Sequence, residues 1–122
     1  MTAPVYLDNN ATTRVDPAVL AEMLPFFTEL FGNPSSMHHY AAGVAEAVQL
    51  ARRQVQSLLG AKHDSEIIFT SCGTEANNTA LYSALAANPG RREIITSVVE
   101  HPAILAVCEH LEKNEGVTVH RI

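Results

Sequence analysis

The chain has 122 residues, 47% hydrophobic and 17% charged, with a formal net charge of −5, the composition of one soluble globular domain or part of one. The acidic balance argues against nucleic acid as a partner, because neutralising phosphates requires clustered Lys and Arg, whereas Arg52-Arg53 and Arg91-Arg92 are isolated pairs. No apolar run approaches the roughly 20 residues of a membrane span, and the N-terminus lacks the charged and apolar regions of a secretion signal. The two cysteines, Cys72 and Cys108, make neither a disulfide framework nor a closed zinc site, so the expectation is a cytoplasmic protein that binds no membrane and no metal.

In chain order, Val5-Tyr6-Leu7 reads as a short extended lead-in. Asp16-Pro17 then supplies an N-cap and a proline for a first helical turn. Leu20, Met23, Leu24, Phe27, Leu30 and Phe31 recur at helical spacing, Pro25 should kink or divide that helix, and Gly32 is placed to cap it. After a turn at Gly32-Asn33-Pro34-Ser35-Ser36, a longer helix is predicted over 38–59, ended by Gly60. A strand at 66–70, a helix at 74–87 stopped by Asn88-Pro89-Gly90, a strand at 94–99, a helix from Pro102 and a last strand after Gly116 complete a β-α-β-α-β order. That order implies an α/β layer with mostly parallel strands.

The junction Thr70-Ser71-Cys72-Gly73-Thr74-Glu75-Ala76-Asn77-Asn78 carries the most chemistry. It turns a strand directly into a helix, whose first N–H groups lack internal partners and share the direction of the positive dipole end, so an anion is favoured there. Gly73 has no Cβ to block a phosphate oxygen, and the Thr74 hydroxyl adds a donor. The spacing is neither G-x-G-x-x-G nor a P-loop with its lysine, which disfavours a dinucleotide or nucleoside triphosphate. The second strand runs out into Glu100-His101-Pro102-Ala103. Because ligands of open α/β sheets sit beyond the carboxyl ends of the strands, Thr74 and His101 can line one crevice.

Four segments, Val5-Tyr6-Leu7-Asp8-Asn9-Asn10-Ala11-Thr12-Thr13, Phe31-Gly32-Asn33-Pro34-Ser35-Ser36, the 69–77 junction and Glu100-His101-Pro102-Ala103, resemble the pyridoxal-phosphate cysteine desulfurases in order and spacing. The Thr70-Ser71-Cys72-Gly73-Thr74-Glu75 wording is most similar to the NifS type, which supplies sulfur for the iron–sulfur clusters of nitrogenase. The resemblance implies an α/β chain of the fold type I (aspartate aminotransferase-like) class. Residues 1–16 would be an extended N-terminal segment, and residues 17–122 would be helices and the first part of the cofactor-binding large domain, with a mostly parallel sheet flanked by helices. The strand matching 66–70 would pair with one from later in the sequence.

The implied cofactor is pyridoxal 5'-phosphate, held through Gly73 and Thr74 at its phosphate and stacked against His101; Asn10, Thr12 and Asn33 would line the substrate side. The implied reaction converts L-cysteine to L-alanine and an enzyme-bound persulfide, whose sulfur passes to an iron–sulfur cluster scaffold protein, and the full-length enzyme would be a homodimer. The family's Schiff-base lysine and persulfide-forming cysteine match nothing in this chain, so no catalytic residue is carried over. The chain accordingly reads as the N-terminal part of a larger enzyme, inactive alone.

Each of these residues also has a plain structural reading. Thr74 can be an ordinary first-turn residue, Glu75 a support for the helix dipole and His101 a cap. Cys72 sits where a helix N-terminus lowers a thiol pKa, but the resemblance makes it a small residue beside the phosphate, and Cys108 falls at core spacing between Ile104 and Leu111. The alternatives left open are another fold type I enzyme, such as a selenocysteine lyase or aminotransferase, and a non-catalytic phosphate-binding module.

Overall fold

The computed structural model describes residues 4–122, which divide into two compact units, Met1–Ile67 and Ile68–Ile122. The extended reading of residues 1–3 lies outside the described residues.

In the first unit, 4–16 carry no helix or strand. Asp16 then caps helix α1 (Pro17–Met23), its Oδ1 accepting from the Ala18 amide at 2.7 Å, with Pro17 in the first turn. Pro25 divides the helical stretch, as its missing N–H and its ring require, so a short α2 (Pro25–Thr28) starts anew. Gly32 does not cap this helix, which ends at Thr28. Its role is close approach: a Cβ at Gly32 would lie 2.8 Å from the Tyr40 carbonyl oxygen, where the next helix begins.

Helix α3 (His39–Leu59) ends at Gly60, whose φ of 70° lies in the left-handed region that favours glycine. It buries Ala41 and Val44, while Leu58 near its end is 85% exposed. The Arg52 guanidinium donates to the Ile67 carbonyl and so ties the exit of a 3-10 turn (Asp64–Glu66) back to α3.

The strand expected at 66–70 is not formed. Glu66 closes the 3-10 turn, and 67–70 join no ladder among the described residues. The physical reason is that a strand is defined by its neighbour: its N–H and C=O groups need an edge to pair with, and none of the described strands offers one.

In the second unit, helix α4 (Gly73–Ala87) leads to strand β1 (Glu93–Thr96), helix α5 (Pro102–Asn114) and strand β2 (Thr118–Arg121). The strands pair in parallel with Ile94 opposite Val119 and Ile95 opposite His120, the arrangement a β-α-β crossover produces. Alternation along the strands sends Val119 into the core with Ile94 packed against it, and leaves Ile95 72% exposed on the other face. Leu85, Val107, Cys108, Leu111, Val117 and Val119 form the core, so Cys108 has the packing role its spacing predicts. Gly116, at φ 64°, bends the chain after α5, allowing the Val117 amide to reach back to the Leu111 carbonyl at 3.3 Å. An Arg121–Glu112 ion pair at 2.8 Å joins β2 to α5 on the surface.

Candidate functional site

The first turn of α4 gathers donors. Cys72 is its N-cap in extended conformation, followed by Gly73 and Thr74, and a Cβ at Gly73 would meet nothing within 4 Å. Just before it, the Ser71 amide and hydroxyl both donate to Glu75 Oε2 at 2.7 Å. These bonds, the hydroxyl's first, hold the Glu75 carboxyl below its ordinary pKa. A lowered carboxyl stabilises the fold above its unfolded pKa, so this tether is in place at neutral pH and is lost as pH falls through the lowered value. Glu75 is thereby a brace for the turn that leads into α4.

The Cys72 thiol reports on the same donors. The Glu75 amide and then the Ser71 hydroxyl draw its pKa down, against desolvation and the Glu75 charge, with a smaller pull from the Thr74 amide. Donors that favour a thiolate are donors that favour an anion, so this turn suits a phosphate group. Cys108 shows the opposite behaviour, its thiol pushed up by desolvation. We expect iodoacetamide at slightly alkaline pH to modify exposed Cys72 well before buried Cys108. Ser71→Ala should slow Cys72 modification, as read by peptide mass spectrometry; equal rates for the two thiols would refute the assignment.

His101 is the N-cap of α5, with Pro102 in the first turn, and its Nδ1 accepts from the Ala103 amide at 3.1 Å. That contact leaves the proton of the neutral ring on Nε2. Thr74 and Ala103 line one groove between α4 and α5, and His101 stands outside that lining, joined to it through the amide it caps. The helix starts carrying the phosphate and ring candidates thus belong to one packed layer.

The substrate-side candidates lie in the other unit. Asn10 sits in a turn at 9–11, in which the Ala11 amide donates to the Asp8 carbonyl at 3.2 Å; Thr12 comes directly after it. Asn33 Oδ1 accepts from the Ser35 amide at 2.9 Å, so this side chain shapes its own turn. Two residues of the α4 region escaped the sequence reading: Ser71, which braces Glu75, and Asn78, whose Oδ1 is buried without a partner among the described residues. The signal for Asn78 was its i, i+4 relation to Thr74, which puts both on one helix face.

Among the described residues no group of three or more His, Cys, Asp or Glu side chains is arranged to hold a metal, and no helix is long and apolar enough to cross a membrane.

The chain is 65% identical over 118 residues to a cysteine desulfurase of Cereibacter sphaeroides, aligning 97% of this chain with 30% of that protein. It is 61% identical over 120 residues to the cysteine desulfurase NifS of Azotobacter vinelandii, aligning 98% of this chain with 30% of that protein. The chain therefore spans about 30% of the length of these curated relatives. Among solved structures, a NifS-like protein superposes with a TM-score of 0.85 at 41% identity, over 97% of this chain and 32% of that one. SspA in complex with cysteine does so with a TM-score of 0.84 at 35% identity, over 96% and 33% respectively. Residues 5–122 match the aminotransferase class-V family, and with the parallel β-α-β layer and the donor-rich α4 turn in place, the chain belongs to that family.

Proposed function

We propose that this chain is the phosphate-binding portion of a pyridoxal-phosphate cysteine desulfurase of the NifS type, which converts L-cysteine to L-alanine and an enzyme-bound persulfide. The observation that carries the reading is the first turn of α4, where open backbone at Gly73 and the Thr74 and Glu75 amides meet at an anion-favouring point. The similarity to cysteine desulfurases over nearly the whole chain supports the choice of reaction, and the cysteine complex of the similar SspA supports the substrate.

When bound, pyridoxal phosphate supplies an electron sink for the amino-acid substrate. The chain's own residues hold it in place. Gly73 admits a phosphate oxygen to the backbone, and the Thr74 hydroxyl and amide donate to it, with the α4 dipole adding favourable charge. Cys72 makes room beside the phosphate and is not the sulfur-accepting thiol. His101 is held by its cap to the Ala103 amide, which fixes the imidazole plane for stacking on the cofactor ring. Asn10, Thr12 and Asn33 serve the substrate side. The intact polypeptide supplies the Schiff-base lysine and the persulfide-forming cysteine from further residues, works as a homodimer in the cytoplasm, and passes its sulfur to an iron–sulfur cluster scaffold.

The full reading frame, expressed and purified, should be yellow with bound cofactor and release alanine from L-cysteine. Colourless protein that releases none would defeat the reading in favour of a phosphate-binding module. Cys72→Ala in that enzyme should retain turnover; its loss with cofactor still bound would make Cys72 a reacting group. His101 needs two variants, since alanine removes both a ring and a helix cap worth about 1 kcal/mol. His101→Asn keeps a capping oxygen, so we expect unchanged thermal stability together with an altered cofactor absorption band and slower alanine release. A wild-type spectrum and turnover in His101→Asn would confine His101 to capping.

A further inference from the structure

The groove between α4 and α5 is lined by a buried acceptor that has no partner among the described residues, and by a histidine across from it. Asn78 lies one turn beyond Thr74 on the same face of α4, and both line this groove, about 290 Å³ in volume, together with Tyr82 of the same helix and Ala103, Val107 and His110 of α5. Asn78 Oδ1 is buried and lacks a hydrogen-bond partner among the described residues. On α5, Asn114 Nδ2 donates to the His110 carbonyl at 3.1 Å, which orients its amide, and the same nitrogen lies 3.2 Å from His110 Nδ1. An amide nitrogen only donates, so Nδ1 is the acceptor and the neutral ring carries its proton on Nε2. One wall of the groove offers an acceptor and the other a donor.

Stability alone does not explain an asparagine at this position. Its helix propensity is low, and a buried amide oxygen without a partner costs stability that an apolar side chain of the same shape would not. Leucine at position 78 would satisfy the packing.

We propose that Asn78 is a positioning residue for the phosphate anchor: with His110 it holds a bridging water across the groove, fixing the Gly73–Thr74 turn of α4 against the first turn of α5, whose Ala103 amide His101 caps. Such a water accepts from His110 Nε2–H and donates to Asn78 Oδ1; the groove is mostly apolar, is roomy enough to hold it, and carries Thr74 and Tyr82 beside these two groups. The inference rests on the reading of Thr74 and His101 as cofactor residues.

The test compares Asn78→Leu, His110→Phe and the double variant with wild type in the full-length enzyme. Three quantities are read: the melting temperature of the apoenzyme, the Kd for pyridoxal phosphate by absorbance titration, and the 31P resonance of the bound phosphate. Asn78→Leu should melt at or above the wild-type temperature yet bind cofactor about three- to ten-fold more weakly, with a shifted 31P resonance. His110→Phe, at an exposed position, should reproduce the weakening, and the double variant should be no weaker than either single one, because both act through the same bridge. A wild-type Kd and 31P resonance in Asn78→Leu would overturn the proposal, as would a lowered melting temperature in step with Kd or additive effects in the double variant. Failure of wild type to bind the cofactor would instead overturn the functional reading beneath it.

Discussion

Thr74→Ala in the full-length enzyme should weaken retention of pyridoxal phosphate by about 10- to 150-fold, because a hydrogen bond to a charged group is worth roughly 1.5–3 kcal/mol and each 1.4 kcal/mol is a factor of ten. Two features of the site make the loss specific. Thr74 is exposed at the start of α4, so the substitution opens no cavity, and alanine is the better helix former; the apoenzyme should therefore unfold as wild type does. Thr74→Ser keeps the hydroxyl and should restore most of the affinity. Absorbance titration of the apoenzyme with the cofactor measures all three proteins. Equal affinity in the alanine and wild-type enzymes would remove Thr74 from the phosphate site.

Leu111→Ala should be the most damaging single substitution in the second unit. Leu111 is 1% exposed and sits among Leu85, Val107, Cys108, Val117 and Val119. Truncation removes the transfer energy of the lost carbons and leaves a cavity, together about 2–5 kcal/mol for a buried leucine, a large part of the roughly 5–15 kcal/mol that stabilises a domain. The Leu111 carbonyl also receives both the Glu115 and Val117 amides, so loosening this turn should disturb the entry to β2. Thermal unfolding of the full-length enzyme, measured by circular dichroism, should show a fall of several degrees. Leu105→Ala is the contrasting control, since Leu105 lies outside the core. A Leu111→Ala protein that melts with wild type would show that the core lies elsewhere.

Local signals read correctly wherever the physics is local. Asp16-Pro17 is an N-cap followed by a residue with its φ already set, and it starts α1. Pro25 divides the first helical stretch, Gly60 ends α3 in the left-handed conformation, and Pro102 opens α5. In each case the residue acts on its own backbone or on that of the next turn, so no distant partner is needed. The start of α4 at Gly73 was legible for the same reason: it is made by consecutive amides and small residues.

Other features depended on partners distant in sequence. The apolar run Ile67-Ile68-Phe69 has strand composition, yet a ladder needs a second edge, and 67–70 find none among the described residues. Gly32 looked like a helix cap by position, whereas the proximity of the Tyr40 carbonyl decides its role. His101 kept both its readings, capping and stacking, until the Ala103 amide was placed on its Nδ1; that contact establishes the cap and leaves the ring face to the cofactor test. Asn78 was one polar residue in a polar pair until the packing of α5 buried its oxygen. The sequence by itself determined the helix starts, the ends of α3 and α4 and the parallel β-α-β order, because these arise from backbone preference and residue spacing within a few positions. Only the tertiary structure decided which runs become paired strands, which polar atoms lose water and which helix starts share a groove, because those outcomes depend on surfaces that meet only when distant segments pack.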